Sequence, residues 1–447
     1  MSTPAQPLRP SPAAQPVRAD TLQALPAGVG RPGYDRAALV PSVVHIGVGG
    51  FHRAHQEVYF DALARLGETG WGVVGVGLHH PQMGEALHAQ DTLYTVVVRG
   101  ADGDEVRVIG SMVDYLYAPS DPGRVLAALA DERTRLVTLT ITGAAYPDGD
   151  VDPGDERVRA DVERPEAPAT AFGYLVEALR RRRREGLAGF TVLSCDNLPR
   201  NGRATRAAVL GTARLRDPDL ARWIARSTSF PCSAADRITP LTTPRVREEI
   251  VRAHGLADRW PVVTEPFSQW IVEDDFRAGR PPLERVGVRF VTDVGPHALA
   301  KTRLLNGAHC AMGHLALLAG IATTDGAMAE PVLRRYVEGY LAEAAAVLPD
   351  VPGTDLREYR AALLRRLANP RLGDGVPRLC RRGSSKVPEH VLPSLRAALE
   401  RDLPRGHLVL AVAAWLRCLR GTDHAGARLD VDDDGAALLR PLAAAAG

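Results

Sequence analysis

Lys301, Asn306 and His309 interrupt the Leu- and Ala-rich run KTRLLNGAHCAMGHLALLAG (residues 301–320). Lys301 brings an amine, Asn306 an amide and His309 an imidazole, groups able to hold protons and to donate and accept hydrogen bonds. In a helix turning about 100° per residue, Asn306 and His309 lie about 60° apart and Lys301 about 80° from His309, within one broad face. Such a stripe suits proton transfer and the binding of a polar ligand. Spacing alone describes a wet helix face equally well. A second candidate lies in HIGVGGFHRAH (45–55), where Gly47-x-Gly49 stands between a strand and a helix. That is the place for a phosphate-cradling turn with a pyrophosphate at the helix start. The third position of the fingerprint carries His52 rather than Gly, and a lone G-x-G is weak evidence without its strand–helix–strand context. The next strand ends in Leu78-His79-His80. No acid stands at its tip to accept from a ribose 2′-hydroxyl, so the choice between NAD and NADP stays open there.

The elements around these residues fall into two kinds. SVVHIGVGG, WGVVGVGL (71–78), RLVTLTIT (135–142) and GFTVLSCDN (189–197) are short apolar runs rich in β-branched residues. Helical patterns separate them, including PQMGEALHAQ and ATAFGYLVEALRRRRREG. LYTVVVRGADGDEVRVIGSMVDY reads as a hairpin around an Asp-Gly turn. Alternation of this kind predicts a mostly parallel, Rossmann-like doubly wound α/β sheet. From about residue 293 the pattern becomes helical throughout. The expected organisation is an extension over 1–21, a dinucleotide-binding domain over 22–290 and a helical domain over 291–447. Small-molecule sites favour such junctions, and the Lys301 helix begins just beyond this one.

Composition narrows the function classes. At 447 residues the chain exceeds one ordinary core, and 45% apolar residues, 24% charged residues and a formal charge of +2 describe a globular protein. So neutral a balance gives no reason to expect nucleic acid or a membrane as partner. The run LRRRRREG (179–186) reads as a solvated C-terminal helix turn that suits the helix dipole. Cys195, Cys232, Cys310, Cys380 and Cys418 are scattered and odd in number, without zinc or CxxC spacing. They predict neither disulfides nor a metal site, but buried packing residues in a reducing compartment. The opening MSTPAQPLRPSPAAQPVRAD is rich in Pro and Ala and lacks the apolar core of a secretory signal. A disordered extension and a cytoplasmic protein are expected.

Six motifs, VVHIGVGGFHRAHQEVYFDAL, SCDNLPRNG, FPCSAADRITP, EPFSQWIVEDDF, KTRLLNGAHC and GSSKVPEHVLPSL, occur in this order. Together they closely resemble the polyol-specific long-chain dehydrogenases, the mannitol 2-dehydrogenase family, over residues 22 to 435. The resemblance implies metal-independent hydride transfer between a secondary alcohol and NAD, with NADP still open, by a monomer. It implies that Lys301 is the general base of alcohol oxidation and that Asn197 and Asn306 hold the reacting oxygen. It further implies that His309 contacts a substrate hydroxyl, that Asp236, Arg378 and Lys386 belong to the polyol pocket, and that Gly47, Gly49, Gly50 and Phe51 meet the cofactor.

Elementary chemistry agrees with those roles. Hydride leaves carbon only as the hydroxyl proton is removed, and a lysine serves near neutrality only with its pKa well below about 10.4. The helix start at Gly295-Pro296 and desolvation both push that way. Amide donors on a developing alkoxide are worth about 3 kcal/mol each. Asp236-Arg237 equally reads as a local ion pair, and Glu265, Gln269 and Trp270 read as interface packing. Three departures stand out: Ala298 replaces the family's glutamate, Gly143 and Ala144 replace an acid, and the chain stops early at ALLRPLAAAAG. D-mannitol with D-fructose is the leading substrate pair. D-arabinitol, D-sorbitol and a hexuronate such as fructuronate are alternatives, the last with Arg378 as carboxylate partner. A weakly catalytic NAD(H)- or sugar-binding regulator is the alternative from another class.

Overall fold

Five parallel strands carry the first half of the chain in this computed structural model, which describes residues 14–445. In chain order these five, together with the hairpin strands β3 and β4 of a separate sheet, are β1 (Pro41–Ile46), β2 (Gly72–Gly77), β3 (Tyr94–Arg99), β4 (Asp104–Ile109), β5 (Met112–Tyr117), β6 (Leu136–Leu139) and β7 (Thr191–Ser194). The main sheet runs β5-β2-β1-β6-β7, with every neighbouring pair parallel. Helices including Ala171–Arg184 and Asn201–Arg216 pack against it, and Val43, Val44, Ile46, Val76 and Val137 are fully buried. Strands covered on both faces are apolar without alternation. The strand order reverses at β1, which opens a crevice at the strands' C-terminal ends, where open α/β sheets take ligands.

The hairpin forms as read, with β3 antiparallel to β4. Its expected continuation does not: Met112–Tyr117 leaves the hairpin and becomes the edge strand β5 beside β2. The break falls at Gly110, whose carbonyl accepts from Arg36 Nε at 2.9 Å and where a Cβ would press on Pro32. From residue 14 onward the segment expected to be disordered is ordered. Residues 1–13 lie outside the described residues, but Gln15–Pro16 pairs with Leu256–Ala257 and Val17 is fully buried. One valine in a compositionally loose segment suffices to tie it down. In the arginine run, Arg182 is buried rather than solvated; its Nε donates to the Ala188 carbonyl at 2.7 Å. Arg180 and Arg181, with Arg216, grip the buried Glu177 carboxylate.

The chain divides into two compact units. One runs from the N-terminus to Thr292 without Gly100–Gly103, and the other holds Gly100–Gly103 and everything from Asp293. The second unit is helical beyond Gly295. Pro331–Ala346, Val376–Cys380 and Gly406–Cys418 pack around Gly307–Leu318. Leu304, Ala308, Met312, Tyr340, Val387 and Leu408 are among its core.

Candidate active site

In the first unit the glycine turn closes the end of β1. Gly47 has φ +101°, and a Cβ there would fall on the Thr140 carbonyl, so both conformation and space require glycine. Among the described residues only the Gly47 carbonyl, at 3.8 Å, comes within 4 Å of such a Cβ at Gly49, which leaves room for a ligand at the turn. The helix that starts at Gly50 breaks at His55 and resumes at Gln56, and Phe51 stacks on His55 at 5.1 Å. His52 explains the irregular fingerprint. Its ring lies flat on that of His45 in β1, centroids 3.4 Å apart, so a stacked imidazole pair supplies the close helix–strand packing that a third glycine would otherwise allow.

Beneath the turn, His45 bonds Thr138 and Thr140, and His52 lies 3.2 Å from Glu57, whose carboxyl accepts from Ser111 at 2.7 Å. Burial holds both histidines far below their ordinary pKa and pushes Glu57 up to about 8. The His52–Glu57 contact therefore joins neutral partners rather than an ion pair.

Asn197 follows β7, and Asp236 ends the strand Ser233–Asp236. Thr191 bridges Ser229 in parallel and the Ser233 hydroxyl donates to the Ser194 carbonyl at 2.7 Å, so both residues lie at the same C-terminal edge. Asn197 is exposed and Asp236 buried. Their supports are residues that motif reading passed over. The Asp196 carboxylate accepts from the backbone of Ile141 and Thr142 and from the Tyr146 hydroxyl, which ties the loop after β7 to the loop after β6. It also holds Thr142 at φ +72°, a strained conformation for a β-branched residue. Asn201, buried in the same SCDNLPRNG motif, donates to the carbonyls of Asp196 and Ser233. Arg237 bonds the carbonyls of Glu265 and Ala54, so it is a buried brace. Trp270 is fully buried and packs against His55, Tyr59 and Phe60 of the same unit.

In the second unit the polar stripe is arranged differently from an ideal helix. Gly295–Ala300 and Gly307–Leu318 are α-helical, but Lys301–Asn306 between them is a π-helical turn, in which the Gly307 N–H reaches back to the Thr302 carbonyl. In an unbroken α-helix, residues five apart diverge by about 140°. In a π-turn, bonds to the fifth residue back stack them, and such turns cluster at functional sites. Lys301 and Asn306 thus come to one side, His309 follows one α-turn on, and all three are half-buried. The Asn306 side-chain nitrogen is buried without a hydrogen-bond partner among the described residues. A buried unsatisfied donor costs about 1–3 kcal/mol, which a bound oxygen would recover.

Arg378 and Lys386 are both engaged. Arg378 Nε donates to Asp374 Oδ1 at 2.7 Å, and a guanidinium NH2 meets the other oxygen of this buried carboxylate. It is therefore not the unpaired cation expected for a hexuronate. Lys386 Nζ donates to the carbonyls of Arg378 and Leu379 at 3.4 and 3.3 Å, and burial lowers its pKa. His390, overlooked in the sequence, is 5% exposed. Burial, then the charges of Lys386 and Lys301, lowers its pKa to about 4. Its place four residues after Lys386, on the same helix face, was the available signal. Among the described residues no group of three or more His, Cys, Asp or Glu side chains is placed to hold a metal ion, and all five cysteines are buried free thiols.

Comparison with known proteins matches this arrangement along almost the whole chain. The mannitol 2-dehydrogenase of Cereibacter sphaeroides is 44% identical over 413 residues, 91% of this chain and 86% of that protein. That of Aspergillus terreus is 41% identical over 425 residues, 90% and 83% of the two chains. Among solved structures, the Pseudomonas fluorescens mannitol 2-dehydrogenase in ternary complex with NAD and D-mannitol superimposes with a TM-score of 0.88 at 38% identity, covering 96% of this chain and 89% of that one. A D-sorbitol dehydrogenase in substrate-free form gives a TM-score of 0.88, also at 38% identity, over 93% and 88%. The mannitol dehydrogenase Rossmann domain model matches residues 41–285 and the mannitol dehydrogenase C-terminal domain model residues 293–446. On this coverage, the chain belongs to the mannitol dehydrogenase family.

Proposed function

We propose that the protein is an NAD-dependent polyol 2-dehydrogenase that interconverts D-mannitol and D-fructose. The observation that carries this reading is the buried, unpartnered amide nitrogen of Asn306, stacked by the π-turn on the side of Lys301. An amine and an amide donor so arranged suit a hydroxyl that must lose its proton and an oxygen that must be held as charge develops on it. NAD, when bound, supplies the hydride acceptor. The open turn at Gly49 and the Phe51–His55 stack at the helix start fit a dinucleotide there.

Lys301 takes the C2 hydroxyl proton in oxidation and returns it in reduction. Asn306 donates to the reacting oxygen, and Asn197 is its second amide donor. His309 and Asp236 bond the neighbouring hydroxyls, while Arg378 and Lys386 form the pocket wall. The Asp374–Arg378 pair favours a neutral polyol over a hexuronate, because the carboxylate that a hexuronate would bring is already provided by the protein. Retention of a base with its amide donor disfavours a binding-only regulator.

A panel of D-mannitol, D-arabinitol and D-sorbitol with NAD and NADP, and of the ketones D-fructose and fructuronate with NADH and NADPH, read by absorbance of the reduced nicotinamide, tests the proposal. D-mannitol with NAD should give the highest kcat/KM among the alcohols, and D-fructose with NADH a higher one than fructuronate. A higher value for fructuronate than for D-fructose would replace the polyol reading with that of a hexuronate reductase.

A further inference from the structure

A cavity of about 330 Å³ opens beside the ligand edge of the parallel sheet. Leu78 and His79, just beyond β2, line it, as do Ile141 and Tyr146 beyond β6 and Phe172 from the helix Ala171–Arg184. β2 and β6 are the two neighbours of β1. A cavity touching the tips of both therefore sits at the switch point, next to the Gly47 turn, where the adenosine half of a dinucleotide belongs. One wall is apolar and aromatic. The rim is acidic: Asp148, Asp150, Asp152 and Asp155 line it against a single arginine, Arg157.

These carboxylates are not equivalent. Asp155 caps the helix Glu156–Glu163 and pairs with Arg157 at 3.3 Å, which neutralises the one cation of the rim. Asp152 accepts from the Gly154 N–H at 2.7 Å, a local turn contact. Asp148 and Asp150 are exposed and have no hydrogen bond or ion pair among the described residues.

We propose that this cavity seats the adenosine ribose and that Asp148 and Asp150, in the loop after β6, reserve it for NAD over NADP. The inference rests on the dehydrogenase reading above. A free ribose diol can donate to a carboxylate, whereas a 2′-phosphate brings only acceptors and a charge of about −1.5 to −2. Two unneutralised carboxylates beside it accept the first ligand and repel the second. The discriminating acid thus comes from a different strand than the fingerprint position, which explains why the tip of β2 carries His79-His80 and no acid.

The test is the full-length Asp148→Asn/Asp150→Asn variant. kcat/KM is measured with D-mannitol and each cofactor, and Kd for NAD and NADP from quenching of tryptophan fluorescence. NADP efficiency should rise about tenfold and NAD efficiency fall a few-fold, the scale of removing nearby solvent-exposed charges. In the unaltered protein, NADP binding should tighten relative to NAD as ionic strength rises, because exposed charges are screened. An unchanged cofactor preference in a double variant that still turns over NAD would overturn the proposal. So would a preference that shifts only on His79→Ala, which would return discrimination to the strand tip. Failure of the unaltered protein to bind either dinucleotide is a separate result: it would remove the dehydrogenase reading itself and this inference with it.

Discussion

Lys301 and Glu57 show two different uses of a half-buried or buried titratable group. Lys301 sits at the head of the π-turn, away in sequence and in unit from the Gly47–Gly49 loop. Lys301→Ala should lower kcat for mannitol oxidation by about 10²–10⁴-fold, the usual worth of a positioned base, while Kd for NAD changes little. Equal losses in rate and in cofactor affinity would assign the lysine a structural part. Glu57 is a stability residue. Its folded pKa, raised to about 8, means that the folded protein keeps a proton that the unfolded chain releases near the ordinary carboxylate pKa. Its contribution is thus complete at low pH and lost as pH rises through 8. His390, with its pKa lowered to about 4, acts oppositely: its contribution is present above the ordinary histidine pKa and lost as pH falls through 4. Stability should therefore decline by about 2 kcal/mol from pH 6.5 to 8 on account of Glu57. Glu57→Gln should flatten that alkaline decline in urea unfolding while leaving the acid limb unchanged; an identical alkaline slope in the variant would refute the assignment.

The π-turn is the element on which the candidate base and its amide depend. Its fixings are specific. The Tyr340 hydroxyl donates to the Arg303 carbonyl at 3.2 Å, and Gly307 leaves room for that hydroxyl, since a Cβ there would fall on it and approach the His390 carbonyl at 3.2 Å. Gly307→Ala overpacks a fully buried contact, for which the usual penalty is about 1–3 kcal/mol. We expect a lower unfolding midpoint together with a fall in kcat, because relief of the clash moves Asn306 relative to Lys301. Loss of stability with kcat intact would show that the turn does not set their geometry. Periodicity could not reveal the turn. The sequence 301–318 is a good α-helical pattern, and the Tyr340 hydroxyl that bonds the turn's Arg303 carbonyl belongs to the helix Pro331–Ala346, distant in sequence.

At the scale of the whole molecule, the proposed chemistry would need no metal, because in it Lys301 would take the role that zinc-bound hydroxide plays elsewhere. Activity should survive exhaustive dialysis against a chelator, and zinc-dependent recovery of lost activity would contradict the lysine mechanism. No helix among the described residues is long and apolar enough to cross a membrane.

Local pattern carried the architecture. Unbroken β-branched runs such as SVVHI and GVVGV can be buried on both faces only in a parallel sheet covered by helices, and the switch to Leu/Ala spacing near residue 293 marks where that sheet stops. The candidates Lys301, Asn306 and His309 stand out in the sequence because an amine, an amide and an imidazole interrupt a Leu- and Ala-rich run, whereas Asn197 is named only through the resemblance of SCDNLPRNG to a family motif. Tertiary structure decided what those groups are free to do. Arg378 is occupied by Asp374, Lys386 by backbone carbonyls, and His52 by the ring of His45. It also decided where cofactor charge is read, for the acids at the cavity rim come from a loop some seventy residues beyond the strand tip where spacing would place them. The physical reason is common to all four. Hydrophobic periodicity is a property of neighbours along the chain, whereas pairing, burial and electrostatic fields depend on side chains that only folding brings together.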